Sequence, residues 1–464
     1  MPAAKASRPV ADARSVVRDT VANDASIAVT LWPRRASSKA TPPAPATESS
    51  TRDCGSGARA SIAADEKLRV SGSNTSSYKA TWSSQRSGCW SGSRSLVIVT
   101  ARAICDNSGV GGPARMTLHA STNKEAAGRS SFALGLGLTN ECNLACAFCY
   151  RDPTRSDRLD LEQVRRAVES VPLRSVNLGT GENGLHPDFA AILAYLRQKP
   201  LKLTMTSNGH SVRILADEDL RAFHELEFSI DYPNEAEQDA QRGAGNWALV
   251  HEQAGRCRAL GLPVTFIAVM MRSNFDRLAD IAAIAGEYDA PLRLNVYQAV
   301  RSDRFGLSYE QYWTGFQLLF DRTDVLAIGE PLVRAMAGLP PRPGGCGIGT
   351  IRVTPRATVK PCVYWPGQGA PLDVLLDLGG EILTEDAFVD ARSVPKACST
   401  CDYLPSCRGG CAGRRRLLDQ LDQPDPYCPI IRGERRPLRI TLAEGRTLAK
   451  SDSACTTVVM ARSS

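Results

Sequence analysis

Three cysteines lie within eight residues in the stretch CNLACAFCY, and they are Cys142, Cys146 and Cys149. Their spacing, C-x3-C-x2-C, places three thiols on one short loop, and thiolates favour iron–sulfur clusters, zinc or copper(I). A cubic four-iron cluster takes four ligands, so three protein thiolates would leave one iron open to a ligand from outside the protein. A zinc loop that borrows a fourth ligand is the alternative, although none of the five histidines lies close by in sequence.

A second group of seven cysteines follows later, with the pattern C-x15-C, a gap, C-x2-C-x5-C-x3-C, a gap and C. Its members are Cys346, Cys362, Cys398, Cys401, Cys407, Cys411 and Cys428. The five cysteines outside both groups are Cys54, Cys89, Cys105, Cys257 and Cys455. We expect no secretory signal, because the first thirty residues lack an apolar core segment, and clustered cysteines then indicate metal binding rather than disulfides. For the seven, a zinc knuckle or ribbon is the competing interpretation.

Short apolar segments alternate with amphipathic ones from about residue 130 onward. The predicted strands are 133–139, 174–180, 201–206, 225–231, 264–271 and 291–297, and the predicted helices are 160–171, 187–198, 212–223, 245–260, 275–288 and 308–320. Asp160 stands at the predicted N-cap of the first helix. Six strand–helix units with nearly continuous apolar strands predict an α/β fold, in which helices cover a parallel sheet. This periodicity alone does not distinguish a barrel from an open sheet.

Polar residues follow these strands where each one ends. Cys142 comes after the first strand, residues 179–183 end the second, 206–209 the third and 229–231 the fourth. Functional side chains of parallel α/β folds lie at the carboxyl ends of the strands, so these four segments are expected to meet at one mouth.

Composition divides the chain into four predicted regions. Residues 1–115 are rich in Ser, Ala, Arg and Pro, carry a net charge of +8 and are predicted to be disordered or a misannotated extension. The strand–helix domain spans 116–325, a cysteine-rich domain with a β-hairpin turning near Pro355–Ala357 spans 326–432, and a basic tail spans 433–464. Everything after residue 115 carries a net charge of −1, which gives no electrostatic case for nucleic-acid binding. We expect no membrane span, because no run of about 18 apolar residues occurs.

The first cysteine group resembles the radical S-adenosylmethionine (radical SAM) superfamily, whose motif is C-x3-C-x-aromatic-C after the first strand of a barrel. Phe148 occupies the aromatic place. The resemblance implies a partial (β/α)6 TIM-like barrel, in which the open iron of a [4Fe-4S] cluster binds the amino and carboxylate groups of S-adenosylmethionine. An electron then cleaves the cosubstrate, and a 5′-deoxyadenosyl radical abstracts hydrogen from a substrate.

The same resemblance extends to the later strand ends. Thr180-Gly181-Glu182 is similar to the family's Gly-Gly-Glu segment, with Thr in the first place, and implies contact with the methionyl amino group. Four polar residues, namely Ser207, Asn208, Ser229 and Arg242, resemble further contacts to the cosubstrate, and a guanidinium suits its carboxylate. Asp231 is a candidate proton acceptor, and cosubstrate contact is the alternative role for it.

The seven-cysteine group resembles the SPASM domain, which implies two auxiliary [4Fe-4S] clusters. The family pattern assigns Cys398, Cys401, Cys407 and Cys428 to one cluster, and Cys346, Cys362 and Cys411 to the other. The other cluster lacks the usual upstream fourth cysteine, because 330–345 contains none. An open iron or exogenous ligand is our expectation there, with water or Cys455 as alternatives. Ala357 replaces a glycine that is common in the family, which questions only the hairpin turn.

Together these resemblances imply a radical SAM oxidoreductase or peptide-maturation enzyme that oxidises or cross-links a peptide or protein side chain. The alternatives are radical oxidation of a small metabolite, such as a sugar or amino-acid derivative, and a non-catalytic iron–sulfur or zinc scaffold. Candidate substrate-facing residues are Asn295, Tyr297, Gln298 and Arg301. We also expect an electron donor such as flavodoxin or ferredoxin, no nucleic-acid or membrane partner, and a cytoplasmic location that protects oxygen-sensitive clusters.

Overall fold

The computed structural model describes residues 131–342, 344–444 and 455–462 with their side chains, and the backbone of five earlier strands. Those strands are β1 (Val16–Val21), β2 (Ala25–Trp32), β3 (Ser77–Ser84), β4 (Leu96–Arg102) and β5 (Thr117–His119). They pair antiparallel in chain order within a unit that spans Met1–Gly128. Most of 1–115, which was predicted to be disordered, lies outside the described residues.

The second unit, Arg129–Ser464, is built on six parallel strands that neighbour one another in chain order. These are β6 (Phe132–Leu136), β7 (Leu173–Leu178), β8 (Lys202–Ser207), β9 (Glu225–Ser229), β10 (Val264–Met270) and β11 (Leu292–Val296). Each lies within a few residues of its predicted position, because each carries buried apolar side chains, such as Val176 and Leu178 on β7 and Leu226 and Phe228 on β9. The outer edge of β6 pairs with a later strand and not with β11, so the barrel stays unclosed, which confirms the predicted partial barrel.

Helices connect these strands and cover them. They are α1 (Leu161–Glu169), α2 (Phe189–Leu196), α3 (His210–Ile214), α4 (Asp217–Leu220), α5 (Glu235–Arg242), α6 (Asn246–Ala259), α7 (Leu278–Glu287) and α8 (Tyr309–Arg322). Asp160 caps α1 as predicted, since its carboxylate accepts a hydrogen bond from the Gln163 N–H at 2.7 Å.

Two helix predictions differ from the structure. The helix predicted over 212–223 is broken at Leu215, whose extended backbone separates α3 from α4. Helix α5 was missed, because its sequence EAEQDAQR contains only two apolar residues, both alanine, and gives no hydrophobic periodicity. Its start is set by Asn234, whose side chain accepts a hydrogen bond from the Glu237 N–H at 3.0 Å.

The cysteine-rich part consists of short elements. They are β12 (Thr323–Ile328), α9 (Pro331–Met336), β13 (Thr350–Val353), β14 (Thr358–Lys360), β15 (Ala370–Pro371), α10 (Leu372–Leu378), α11 (Asp386–Asp390), α12 (Leu404–Cys407) and α13 (Ala412–Leu417). The predicted hairpin is confirmed as the antiparallel pair β13 and β14. Ala357 lies in its turn with φ +52°, a left-handed conformation that glycine adopts more easily, which explains the glycine common in related turns.

A last strand, β16 (Thr457–Ala461), comes from the segment that was predicted as a basic tail. It lies between β11 and β12 and pairs antiparallel with both, so the whole sheet has the order β12-β16-β11-β10-β9-β8-β7-β6-β13-β14-β15. Val458 and Val459 are buried, and β16 lies close to helix α7. Within the described part of the chain, no helix is long and apolar enough to cross a membrane.

The position of β16 predicts a stability effect. Val459 is 0% exposed and stands opposite Leu292 and Val325, so Val459→Ala should destabilise the second unit by about 2 kcal/mol through lost burial and a residual cavity. Leu442→Ala is the control, since Leu442 is 56% exposed and its truncation should change stability by less than about 0.5 kcal/mol. Anaerobic thermal unfolding of both variants tests this. Equal melting temperatures would show that β16 contributes nothing.

Candidate active site

The carboxyl ends of the parallel strands open into a cavity of about 1150 Å³. Nearly all the residues predicted for the site from sequence line it, and these are Cys142, Cys146, Cys149, Phe148, Gly181, Glu182, Ser207, Asn208, Ser229 and Arg242. The four candidate substrate residues Asn295, Tyr297, Gln298 and Arg301 line it as well. The structure therefore brings one set of side chains together from loops that are up to about 160 residues apart in sequence.

The loop that carries the cysteine triplet is held in shape by Arg151. This side chain is buried, and its guanidinium donates to the backbone carbonyls of Asn140 at 2.9 Å and Leu144 at 2.5 Å. The backbone N–H of Leu144 in turn points at Cys142 Sγ, 3.4 Å away. Sequence reasoning missed Arg151, because a single arginine after the motif is indistinguishable from a solvated surface charge.

The three thiols suit a soft metal centre. All three are free and partly exposed to the cavity. Burial raises the pKa of the Cys146 thiol to about 11, although Arg242 opposes the shift, so a metal binding here must displace a proton. Two N–H donors, from Leu144 and the Asn208 amide, lie 3.4 and 3.6 Å from Cys142 Sγ and would stabilise a bound thiolate.

Among the described residues, no three or more His, Cys, Asp or Glu side chains are placed to hold a single metal ion. A four-iron cluster makes a different demand, because each of its thiolates binds a separate iron atom and the sulfurs need not share one centre. The triplet, with soft donors and no carboxylate or imidazole among them, therefore fits such a cluster by its chemistry.

The segment Thr180-Gly181-Glu182 is joined to the cysteine loop through its backbone. Thr180 and Gly181 both have left-handed backbones, at φ +81° and +66°. A side chain at Gly181 would stand 2.3 Å from the Thr139 carbonyl oxygen and 2.4 Å from that of Glu141, so only glycine fits. The Glu182 N–H donates to the same Glu141 carbonyl at 2.8 Å. The two loops therefore form one surface at the cavity.

Glu182 links this surface to the end of β8. Its carboxylate is 1% exposed and accepts hydrogen bonds from the Ser207 hydroxyl at 2.6 Å, the Asn208 N–H at 3.0 Å and the Ser211 N–H at 2.7 Å. The Asn208 amide continues to Asn143 Oδ1 at 2.9 Å, beside Cys142. Three predicted site residues therefore form a single hydrogen-bonded network that orients the cysteine loop.

Asp231 and Arg242 form a buried ion pair. Arg242 Nε and an Nη each lie 2.7 Å from Asp231 Oδ2, while the Val269 N–H donates to Oδ1 at 2.8 Å. Asp231 is 0% exposed and is not among the cavity-lining residues, whereas Arg242 lines the cavity and lies over the Phe148 ring at 5.3 Å. The role of Asp231 as proton acceptor stays a prediction, and this geometry favours a positioning role.

An apolar wall stands beside the triplet. Phe148 contacts Phe305 edge to face, with the ring centroids 6.2 Å apart, and Tyr297 packs on the other side of Phe305. The Tyr297 hydroxyl donates to the Ser302 carbonyl at 2.6 Å, and Arg301 donates to the Arg151 carbonyl at 3.2 Å. The wall gives a planar ligand an aromatic surface next to the cysteine loop.

The cavity continues to the second cysteine group, where Cys346, Cys362, Cys407, Cys411 and Cys455 line it. Burial raises the pKa of the Cys407 and Cys411 thiols to about 12 each. Burial also raises the pKa of the Cys398 and Cys428 thiols, with Cys401 adding to the shift in both. The assignment of Cys398, Cys401, Cys407 and Cys428 to one cluster stays a prediction.

A buried ion triad supports this region. Arg414 pairs with Asp425 at 2.7 Å and with Glu330 at 2.8 Å, and all three side chains are buried. Asp425 Oδ2 also accepts the Cys411 N–H at 2.8 Å, so the triad fixes the backbone that carries a predicted cluster ligand. Sequence reasoning missed these three, since no local pattern links charges almost a hundred residues apart.

Comparison with known proteins gives consistent matches. Residues 136–285 match the family model of the Radical SAM superfamily. Mycofactocin maturase MftC of Mycobacterium ulcerans is 27% identical over 329 residues, covering 63% of this chain and 86% of that protein. PqqA peptide cyclase of Xanthomonas axonopodis pv. citri is 25% identical over 364 residues, covering 69% and 91%. Native anSMEcpe with bound AdoMet and Cp18Cys peptide is 17% identical, with a TM-score of 0.51 over 65% of this chain and 94% of its own, which shows the fold alone.

The close approach at Gly181 predicts a specific loss. Gly181→Ala should displace the loop of residues 139–142 and weaken S-adenosylmethionine binding at least about tenfold, since roughly 1.4 kcal/mol corresponds to a factor of ten. Gly261→Ala is a matched control, because its φ of +72° imposes the same backbone strain but nothing lies within 4 Å of the added Cβ. Equilibrium binding measured on the two reconstituted variants distinguishes contact from strain. Similar affinities would contradict the role of the Gly181 contact.

A second variant separates positioning from proton transfer. Asp231→Asn should leave Arg242 poorly oriented, raise the dissociation constant of S-adenosylmethionine about tenfold and leave iron content unchanged. If Asp231 accepts a substrate proton instead, the affinity stays the same and the pH profile of turnover changes. Binding titration together with a pH–rate profile therefore decides between the two roles.

Proposed function

We propose that this chain, in which residues 136–285 match the family model of the Radical SAM superfamily, reductively cleaves S-adenosylmethionine and oxidises or cross-links a peptide or protein side chain. One observation carries the proposal. The cysteine triplet, the Gly181 segment and the Arg242 guanidinium all line one cavity at the carboxyl ends of the parallel strands.

Cys142, Cys146 and Cys149 would hold a [4Fe-4S] cluster. When bound there, such a cluster supplies the electron that cleaves S-adenosylmethionine to the 5′-deoxyadenosyl radical, which abstracts hydrogen from substrate. The protein's own part is to bind, orient and shield. Arg151 and Glu182 hold the loop from beneath, and the buried wall at Phe148 keeps water from one side of the site.

Arg242 is the proposed partner of the cosubstrate carboxylate. Asp231 engages Nε and one Nη, and a guanidinium has five N–H donors, so the fork retains donors that can point into the cavity. The Phe148 ring, over which Arg242 lies, is the proposed support for the adenine. Gly181, Glu182, Ser207, Asn208 and Ser229 are the proposed contacts to the remaining polar groups of the cosubstrate.

Two auxiliary [4Fe-4S] clusters are proposed for the second cysteine group. One would be held by Cys398, Cys401, Cys407 and Cys428, and the other by a set that includes Cys346, Cys362 and Cys411. Clusters at these positions would supply an acceptor for the second electron of a substrate oxidation. Two electrons and two protons would then leave the substrate in all, which favours oxidation or cross-linking over isomerisation.

A peptide substrate is supported by similarity. The similar proteins include one named a maturase and one named a peptide cyclase. Asn295, Tyr297, Gln298 and Arg301 are the proposed substrate-facing residues. A reducing flavodoxin or ferredoxin, and a cytoplasmic location, complete the proposal.

Removal of one triplet thiol tests the reaction directly. Cys142→Ala should abolish 5′-deoxyadenosine formation when the anaerobically reconstituted chain is given dithionite and S-adenosylmethionine, because the cluster loses a ligand. Cys257→Ala removes a cysteine that is buried on α6, away from both groups, and should retain cleavage. The nucleoside is measured by liquid chromatography with mass spectrometry.

The unmodified chain must itself cleave S-adenosylmethionine. If it formed no 5′-deoxyadenosine under these conditions, only the interpretation as a non-catalytic iron–sulfur or zinc scaffold would remain.

The substrate class is tested separately. A peptide library is incubated with the active enzyme and screened for products that are lighter by two hydrogens. A metabolite that loses two hydrogens while no peptide does would contradict the peptide assignment.

A further inference from the structure

The Cys346 group is short of one ligand in its own region of the chain. Cys346, Cys362 and Cys411 supply three thiols, while a four-iron cluster has four iron atoms to bind. Residues 330–345 contain no cysteine, so no ligand comes from the segment just before Cys346. On sequence alone an open iron was the expectation. The structure places a further thiol beside Cys346.

That thiol belongs to Cys455. Its Sγ lies 3.6 Å from Cys346 Sγ, and both residues line the large cavity. Both thiols are free, and the distance is well beyond the roughly 2.05 Å of a covalent S–S bond. The Cys362 and Cys411 thiols lie close to Gly413, since a side chain at Gly413 would stand 4.0 Å from Cys362 Sγ and 3.8 Å from Cys411 Sγ. All four cysteines line the same cavity.

The backbone around Cys455 is held by the sheet. The Gly329 N–H donates to the Thr456 carbonyl at 2.7 Å, one residue after the cysteine. Strand β16 begins at Thr457 and pairs with Leu294 on β11 and with Ile328 on β12. Thr456 and Thr457 are buried. The thiol is therefore delivered by a structured strand that is anchored on both sides.

We propose that Cys455 is the fourth protein ligand of the cluster held by Cys346, Cys362 and Cys411. The inference rests on the auxiliary clusters of the proposed function and assigns their missing ligand. Four segments that are remote in sequence then meet at one cluster: the turn before β13, the end of the β13–β14 hairpin, the start of α13 and the start of β16.

This assignment changes what the cluster can do. A cluster with four protein thiolates offers no open iron, so substrate cannot bind to it directly as a ligand. Its task is then limited to carrying an electron, and substrate recognition falls to the cavity walls. In place of the expected open iron or exogenous ligand, this cluster would have four protein ligands and would only carry electrons.

The test uses a chain in which the auxiliary clusters can be observed alone. A background variant with Cys142, Cys146 and Cys149 all changed to alanine is reconstituted anaerobically with iron and sulfide, and about eight irons per chain are expected. Into this background go Cys455→Ala and, as a matched control, Cys257→Ala, which removes a buried thiol from α6. Iron content and electron paramagnetic resonance spectra are recorded before and after mild ferricyanide oxidation.

The expected result is specific to Cys455. Oxidation of the Cys455→Ala chain should release about one iron and produce a three-iron signal, because one iron has lost its protein ligand. Added 2-mercaptoethanol should reduce that loss by replacing the thiolate, which a folding defect would not allow. The background and Cys257→Ala chains should keep their iron and give no such signal.

Three outcomes overturn the inference, and they differ. If the background holds about eight irons and Cys455→Ala behaves like Cys257→Ala, Cys455 is not a ligand and the auxiliary clusters still stand. If the background chain binds no iron, the proposed auxiliary clusters fall together with their fourth ligand. Formation of a Cys346–Cys455 disulfide in the reconstituted background, identified by mass spectrometry, would also contradict ligation.

Discussion

The parallel pairing of neighbouring strands from β6 through to β11 is the constraint on which the site depends. Strands that run in one direction deliver all their carboxyl ends to one edge, so the loops after them share a single opening. Close backbone contacts and hydrogen bonds then fix how those loops lie against one another. Gly181 lies against the carbonyls of Thr139 and Glu141, and the Glu182 carboxylate collects the N–H groups that follow β8. The cysteine loop takes its shape from neighbours that are fixed by the sheet.

Buried charges support the site in two places. Arg242 of the Asp231–Arg242 pair lies over the Phe148 ring next to the triplet, and Asp425 of the Arg414 triad accepts the Cys411 N–H in the second cysteine group. Removing charges from water is costly, and each charge here faces an opposite charge, while the Asp231 and Asp425 carboxylates also accept hydrogen bonds from backbone N–H groups. Such an arrangement is better suited to fixing one geometry than to adding stability. Arg242 and Arg414 each contact a predicted metal-binding cysteine, which is Cys146 for Arg242 and Cys411 for Arg414.

Sequence alone predicted the features that have a local signal. The six parallel strands were found to within a few residues, because short segments with apolar residues alternate with helical segments along the chain, and the triplet was found from its spacing. Asp160 and the β13–β14 hairpin carry capping and turn chemistry that can be read residue by residue. The cavity-lining set followed from the rule that parallel strands end at one edge.

The missed features depend on partners far away in the chain. Helix α5 has almost no apolar periodicity, and Arg151 looks like a surface charge until its carbonyl acceptors are placed. Glu330 and Asp425 are separated from each other by almost a hundred residues and meet only through Arg414. Residues 457–461 were not predicted as a strand of this sheet, since no local pattern indicates that they insert between β11 and β12.

The placement of β16 also bears on how the chain is made. Its partners β11 and β12 are synthesised more than 120 residues before it, so they must stay apart while the whole cysteine-rich region leaves the ribosome. Contacts of such long sequence separation form late and slowly. The sheet therefore cannot be completed until residue 461 has emerged. Metal loading at Cys346 would likewise follow translation of the last strand, and a chain that stops short of it would be left with an unpaired sheet interior for chaperones and proteases to recognise.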